Sequence, residues 1–398
     1  MDFEAGVVLV VGAGFAKNAG LPLASEFTER LLDLDGLKDN GPSAAQAAFL
    51  REFVDKTFND GSTTPDDKWP ELEDIFTLVD QSANSGHHLG PLYSAADLRV
   101  VRRAMIVRIV RMLQQAYNKQ LKRRGADSKL LNALFDGLKL DNTAVLSMNW
   151  DMVFERGIEL RQEVRNVEYG CNATPTRLED DVVRRRRSAD LGTRTLHLLK
   201  PHGSINWLYC DACRELFWVP STDTERVAQT LFQERDWRAV FGPSHKGSLP
   251  KSIKPHCPHC GSQSLGTRIA TFSYRKALDF AMHAATWRTA EAHLKTAIHW
   301  VFFGYSMPPA DFEFKYLLKR VQLTEGIPPD ITVITGGSTK AAEETIRRYK
   351  QFFGDGPGDR HYFREGLTDE VVRHLRSIEA LNPVKRARRS RTRSSSRP

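Results

Sequence analysis

The 398-residue chain has no apolar run approaching the roughly 20 residues of a membrane-spanning helix, which excludes a helical integral membrane protein as a reading of the sequence. It also lacks the pattern of a secretory leader. Asp2 and Glu4 precede a short apolar run that stops at a glycine turn, so the N-terminus is expected to begin with a strand. Cysteine is sparse. Five residues without a leader argue against a disulfide framework and for a reducing, cytoplasmic setting. No internal repeat is present, which excludes a solenoid or propeller. Acid is missing from the last fourteen residues, where Lys385, Arg386, Arg388, Arg389, Arg391, Arg393 and Arg397 stand. Without those charges the formal +8 falls to about +1, so the basic balance describes a tail rather than a binding face. The rest, 41% hydrophobic and 27% charged overall, suits a globular protein with one large core or two modest ones.

What is present is organised around residues 7–22. Val7-Val8-Leu9-Val10-Val11 is an unbroken, mostly β-branched run, as expected of a strand buried on both faces. It runs into Gly12-Ala13-Gly14, where the backbone can turn sharply and approach a ligand closely. A helix start after such a turn aims free N–H groups at an anion, most often a phosphate. The loop is not the dinucleotide fingerprint, because Lys17 occupies the third glycine position and the next glycine is Gly20.

Further on, the chain alternates strand and helix signals, which predicts an α/β fold: a Rossmann-like parallel sheet with helices on both faces. Residues 44–140 read as a mostly helical insertion that covers or gates the first domain's site. Its strongest helix, 97–117, repeats Val101, Met105, Ile109 and Met112 at helical spacing, and Arg99, Arg102, Arg103, Arg108 and Arg111 are expected on a solvated face. Pro70 is expected in the first turn of the preceding helix. Strands are expected at 143–149, from 195, at 268–272, at 299–303 and at 330–335, with helices at 152–160, 276–297, 310–323, 339–353 and 368–381. Residues 161–193 read as irregular, with Arg184 to Arg187 a solvated run or an anion contact. The Arg/Ser-rich tail, 382–398, is expected to be disordered.

Three strand ends carry polar groups: Asn149-Trp150-Asp151, His202-Gly203-Ser204 and Gly304-Tyr305-Ser306. Ligands of open α/β sheets sit at the carboxyl ends of strands, so these residues are candidates to surround one ligand beside Gly12-Ala13-Gly14. Between the last two come Cys210-x2-Cys213 and Cys257-x2-Cys260, separated by 43 residues. Each pair forms a knuckle offering two thiolates, and two knuckles complete a closed tetrahedral site, which predicts structural Zn2+ in a small zinc-ribbon module, 208–266. His256 and His259 adjoin the second knuckle as possible substitute ligands, and Cys171 stands apart.

The order of these motifs resembles that of the sirtuins: a Gly-Ala-Gly loop, Asn-x-Asp, His-Gly-Ser, a four-cysteine zinc module and Gly-x-Ser, over roughly residues 5–350. It is most similar to a divergent, mainly prokaryotic sirtuin-like branch, which has a helical insertion after the first loop and a late Gly-Tyr-Ser-x-Pro-x-x-Asp, here Gly304 to Asp311. The resemblance implies one NAD-binding catalytic domain, 1–381. In it Gly12, Ala13 and Gly14 hold the NAD diphosphate, and Asn149 and Asp151 line the nicotinamide and ribose side. His202 is the catalytic base, with Asn149 positioning water, and Gly304 and Ser306 touch the adenosine half. The peptide side departs from the deacylating members: Pro22-Leu23-Ala24-Ser25-Glu26-Phe27 replaces Pro-Asp-Phe-Arg, Ala16 replaces a serine, and no Phe-Gly-Glu follows the cysteines. Thr335-Gly336-Gly337 stands where the family carries an asparagine.

The resemblance therefore implies first an NAD+ hydrolase (glycohydrolase) releasing ADP-ribose and nicotinamide, as an effector of antiviral defence against phage controlled by a protein partner or by homo-oligomer assembly. The alternative is an NAD-dependent protein-lysine deacylase (deacetylase), with ADP-ribosyl transfer a third option. A non-catalytic nucleotide sensor, or a nucleic-acid-associated protein using the basic tail, is the reading of a different class.

Overall fold

The computed structural model describes residues 3–34, 41–58, 69–122, 125–180, 182–229, 232–250, 256–263, 265–269, 281–309, 311–324, 328–354, 358 and 360–383. The basic tail beyond 383, residues 270–272 of one expected strand and residues 276–280 of one expected helix lie outside these.

The chain opens with β1 (Val7–Val11), α1 (Ala13–Asn18) and α2 (Phe27–Leu32). The helical stretch follows: α3 (Pro42–Phe58), α4 (Leu72–Ser85), α5 (Ala95–Leu121) and α6 (Ala126–Gly137). Next come β2 (Thr143–Ser147), α7 (Val153–Gln162), β3 (Asn166–Glu168), β4 (Ala173–Glu179), β5 (Val182–Arg185) and β6 (Thr195–Leu199). The cysteine region holds β7 (Gly203–Cys210), β8 (Leu216–Trp218), α8 (Thr224–Gln229), α9 (Glu234–Phe241) and β9 (Leu265–Ile269). The last part is α10 (Ala281–Thr296), β10 (His299–Phe303), α11 (Phe312–Gln322), β11 (Asp330–Ile334), α12 (Thr339–Phe353), β12 (Arg360–Phe363) and α13 (Asp369–Ser377).

Seven strands form one parallel sheet in the order β12-β11-β10-β1-β2-β6-β3. All five residues of β1 are buried. Their side chains alternate between two cores: Val7, Leu9 and Val11 face the larger one, and Val8 and Val10 face the other. Strand periodicity sends successive side chains to opposite faces, so both faces must be covered by helices. Phe15 of α1, Leu134 of α6, Phe154 of α7 and Leu375 of α13 cover the first. Leu294 of α10, Phe314 of α11 and Tyr349 and Phe353 of α12 cover the second. Each such side chain contributes about 1.5–3 kcal/mol relative to leaving it in water. The Rossmann-like, doubly wound expectation is met.

A second sheet, β5-β4-β8-β7-β9, branches from the first where β6 ends and β7 begins. It corrects the reading of 161–193 as irregular. The strand character of β4 is masked in the sequence because Pro175 and polar residues dominate it and only Thr176 and Leu178 are buried. β12 is a further addition to the expected strands, since its Arg-His-Tyr-Phe leaves no residue fully buried at the sheet edge.

Helix α5 corrects another expectation. Arg99 is exposed, but Arg108 and Arg111 are buried at 6% and 8% exposure. Arg103 forks onto the buried Asp236 of α9 at 2.6 and 3.1 Å, and Arg102 meets Asp80 of α4 at 2.6 Å. The face is not solvated because α3, α4 and α8 also pack on this helix. Burial and the neighbouring Arg111 pull the Arg108 guanidinium down to about 10. Pro70 precedes α4 rather than entering its first turn, and Glu71 stands at the N-cap position without a side-chain cap bond.

The ends of β1 and β10 meet closely. Gly304 has φ +63°, a backbone form that strains any residue with a side chain, and a Cβ built there would lie 2.0 Å from the Phe15 amide nitrogen. Gly304→Ala is therefore expected to destabilise the protein by about 3 kcal/mol or more, read as a shift in the urea midpoint at constant slope.

Candidate active site

Strand order reverses about β1, which lies between β10 and β2, so a crevice opens at the carboxyl ends of β1 and β10. A cavity of about 1890 Å³ occupies it. Gly12, Ala13, Gly14, Asn149, Asp151, His202, Gly304 and Ser306 all line this cavity. Chain segments up to about 290 residues apart in sequence thus converge on one space. Phe27, from the segment that stands in place of the family's Pro-Asp-Phe-Arg, also lines it, whereas the next arginine along the chain, Arg30, pairs with Glu26 at 3.1 Å. Trp69 to Glu73, Leu113 and Gln120 form a wall, so the helical stretch does border the crevice.

The glycine loop works by close approach. The Gly12 amide donates to Phe303 O at 3.1 Å and the Gly14 amide to Gly304 O at 2.8 Å. Neither glycine amide is left over for a phosphate. A Cβ on Gly12 would fall 2.6 Å from Gly304 O and from Tyr305 Cα.

After β2, the Met148 amide donates to Val11 O at 2.9 Å, and the Asn149 amide to the Ser147 hydroxyl at 3.3 Å. The Asn149 side chain bonds to the Asp151 carboxyl, which also accepts from the Val153 amide at 2.9 Å and so opens α7. Burial raises the Asp151 pKa, opposed by the positive charge of Lys200. His202 lies in the turn between β6 and β7. Its Nδ1 is 3.3 Å from Met148 O, a carbonyl that can only accept, which assigns the ring proton to Nδ1 and makes Nε2 the nitrogen that takes up a second proton. Nε2 is 3.7 Å from Asp311 Oδ1, and Asp311 Oδ2 accepts from the Tyr305 hydroxyl at 2.9 Å. A carboxylate beside the proton-accepting nitrogen stabilises the imidazolium formed when the ring takes a proton. Ser306 is exposed, and its carbonyl accepts from Arg348 Nη1 at 3.0 Å.

Sequence reasoning assigns no part to Asp311, although the residue closes the Gly304-to-Asp311 motif. It also misses Lys200 and Glu155. Lys200 is 1% exposed and Glu155 7%, and they form an ion pair at 2.9 Å. A lysine directly after the leucine-rich segment Leu196-His197-Leu198-Leu199 is the signal that could have found them.

The four cysteines gather at the second sheet, with their sulfurs all within 4.8 Å of one another. Cys210 Sγ and Cys260 Sγ are 3.7 Å apart, as are Cys213 Sγ and Cys257 Sγ. A tetrahedral zinc with bonds of about 2.3 Å separates its sulfurs by about 3.8 Å, so the arrangement fits that ion. The knuckles are set by backbone bonds. Arg214 N donates to Cys210 O at 2.8 Å, Gly261 N to Cys257 O at 2.9 Å, and the His259 amide to Cys257 Sγ at 3.4 Å. His256 is engaged elsewhere, with Nδ1 2.8 Å from Gly261 O and Nε2 3.2 Å from Gln263. Cys171 is not in the cluster, and burial pushes its thiol up to about 11.

No helix among the described residues is long and apolar enough to cross a membrane. The fold and site define a Rossmann-like α/β protein with a seven-stranded parallel sheet and a four-cysteine cluster on a smaller sheet. No family model and no curated protein matches the chain. Among solved structures, it is similar to Sir2 in complex with the inhibitor EX-527, 2′-O-acetyl-ADP-ribose and a deacetylated p53 peptide. That likeness has 13% identity over 93% of this chain and 92% of the other, with a TM-score of 0.32.

The purified protein is expected to contain one equivalent of zinc by elemental analysis. Cys257→Ser is expected to abolish retention of the ion and lower Tm by about 10 °C or more, on the order of the loss of a structural metal.

Proposed function

We propose that this protein is an enzyme that cleaves the nicotinamide–ribose bond of NAD+ with water, giving ADP-ribose, nicotinamide and a proton. The observation that carries the reading is the pair His202 and Asp311, which lines with Asn149 the crevice that the glycine loop borders. The motif order supports the same substrate.

In this reading the diphosphate lies against the bare backbone of Gly12, Ala13 and Gly14, with Lys17 and Arg348 as the cations on the cavity wall. The adenosine half runs toward Gly304 and Ser306, and the nicotinamide ribose toward Asn149 and Asp151. The C1′–N bond breaks as its electron pair moves into the nicotinamide ring, which loses its positive charge. C1′ then carries oxocarbenium character, and the nearby carboxylates of Asp151 and Asp311 favour that charge. Water held by the Asn149 amide attacks C1′, and its proton passes to His202 Nε2. Asp311 stabilises the resulting imidazolium. Cys210, Cys213, Cys257 and Cys260 would hold a structural zinc ion, which would tie together the sheet that begins at the His202 turn. One catalytic domain, 1–381, would contain all these parts. Such an activity, held in check by a partner or by assembly, suits an effector of defence against phage.

The test is NAD consumption by the purified protein with and without an acetylated peptide. Loss of NAD without peptide is expected, falling about 10²–10⁴-fold in His202→Ala and in Asn149→Ala. Turnover only with peptide, releasing acyl-ADP-ribose, would replace hydrolysis by lysine deacylation. Binding of NAD without turnover would point to a sensor.

A further inference from the structure

The polar ends of β2 and β6 are joined in an unusual way. The two strands pair at Val145 with Leu198 and Leu146 with Leu199, and then the ladder stops. Past that point residues 148–151 and 200–205 are stitched by other bonds. Met148 O faces His202 Nδ1 at 3.3 Å. Trp150 O accepts from the Ile205 amide at 3.1 Å and the Ser204 hydroxyl at 3.4 Å. Asp151 O accepts from Lys200 Nζ, which also donates to Ser204 Oγ at 2.8 Å. The ammonium is completed by Glu155 of α7 at 2.9 Å, itself hydrogen-bonded at 3.2 Å by the Tyr169 hydroxyl.

We propose that Lys200 is a positioning residue for bond cleavage: its buried ammonium locks the Asn149–Asp151 segment onto the turn that carries His202, so that both face the same reacting bond. This deepens the NAD-cleavage reading and rests on it. An ammonium is a compact charge with three donors, and here they meet a backbone carbonyl and a carboxylate of the segment after β2 and a hydroxyl of the segment after β6. In a dry interior such charge-assisted bonds are short and directional. An uncharged side chain would leave Asp151 O without its donor and free the segment to shift. The Lys200 charge also favours the ionised form of Asp151, against burial and the like charge of Glu155. Tyr117 of α5 is a further titratable group coupled to that carboxyl.

Two variants separate positioning from stability. Lys200→Met strands the Glu155 carboxylate and loses stability whatever else Lys200 does. Lys200→Met/Glu155→Gln removes both charges and is expected to return Tm close to that of the natural protein. Nicotinamide release by this double variant, measured with and without acetylated peptide, is expected to remain about 100-fold down in kcat, because a small misplacement of reacting groups costs that much. Its KM for NAD is expected to stay within about threefold, since the glycine loop is untouched. Recovery of kcat together with Tm would overturn the proposal. If the double variant does not fold, Ser204→Ala removes one partner of the ammonium. It is expected to lower kcat about tenfold at nearly constant Tm, and an unchanged kcat would count equally against the proposal.

Hydrogen exchange over residues 148–153 supplies a readout independent of turnover. Faster exchange there in the double variant, with β1 and β10 still protected, is expected. Unchanged exchange would overturn the proposal. A natural protein that releases no nicotinamide in either arm would defeat the NAD-cleavage reading alone, and the exchange experiment would still decide the part played by Lys200.

Discussion

The backbone of Gly14 rests against that of Gly304, and the arrangement of the crevice depends on this contact. β1 and β10 are adjacent parallel strands that leave the sheet in divergent directions, so their ends line the two sides of one opening. A side chain at Gly12, Gly14 or Gly304 would wedge them apart. With no side chain there, the Gly14 amide reaches Gly304 O, α1 starts at once, and Phe15 packs among Phe154, Phe303 and Phe135. The same glycines that leave backbone bare toward the cavity thus anchor the larger core beneath it.

The opposite side of the crevice is built from charge. β2 delivers Asn149 and Asp151, β6 delivers Lys200 and His202, and the ladder between them ends before either group. Hydrogen bonds from Lys200, Ser204, Ile205 and His202 take over from the sheet, and an unpaired carbonyl at that depth would cost about 1–3 kcal/mol. His202 sits where the chain leaves the large sheet for the small one. The four-cysteine cluster includes Cys210 at the far end of β7, the strand that begins one residue after the imidazole.

The elements legible in the sequence are those buried on both faces. Val7–Val11, Thr143–Ser147, His299–Phe303 and Asp330–Ile334 are short apolar runs, and burial alone explains them. β4, β5 and β12 cannot be read this way, because strands at a sheet edge or in a small sheet bury too few residues to leave a pattern. The arginines of α5 mislead for the opposite reason. Helical periodicity marks the apolar stripe, but it says nothing about whether another helix covers the polar side. Asp80 and Asp236 answer those arginines from 22 and 133 residues away.

The sequence by itself determined the parallel α/β class, the chain positions of the polar strand ends and the pairing of cysteines into two knuckles. Each is a local property: apolar run length, residues bounding a strand, or spacing within a turn. Tertiary structure alone decided that Gly12, Asn149, His202 and Gly304 share one cavity, because parallel strands bring distant residues to the same sheet edge whatever their separation in the chain. It alone also set Asp311 beside His202 and Lys200 against Asp151, Ser204 and Glu155. A charged residue shows its partner only when folding removes both from water, and nothing in the linear order of residues records which partner that will be.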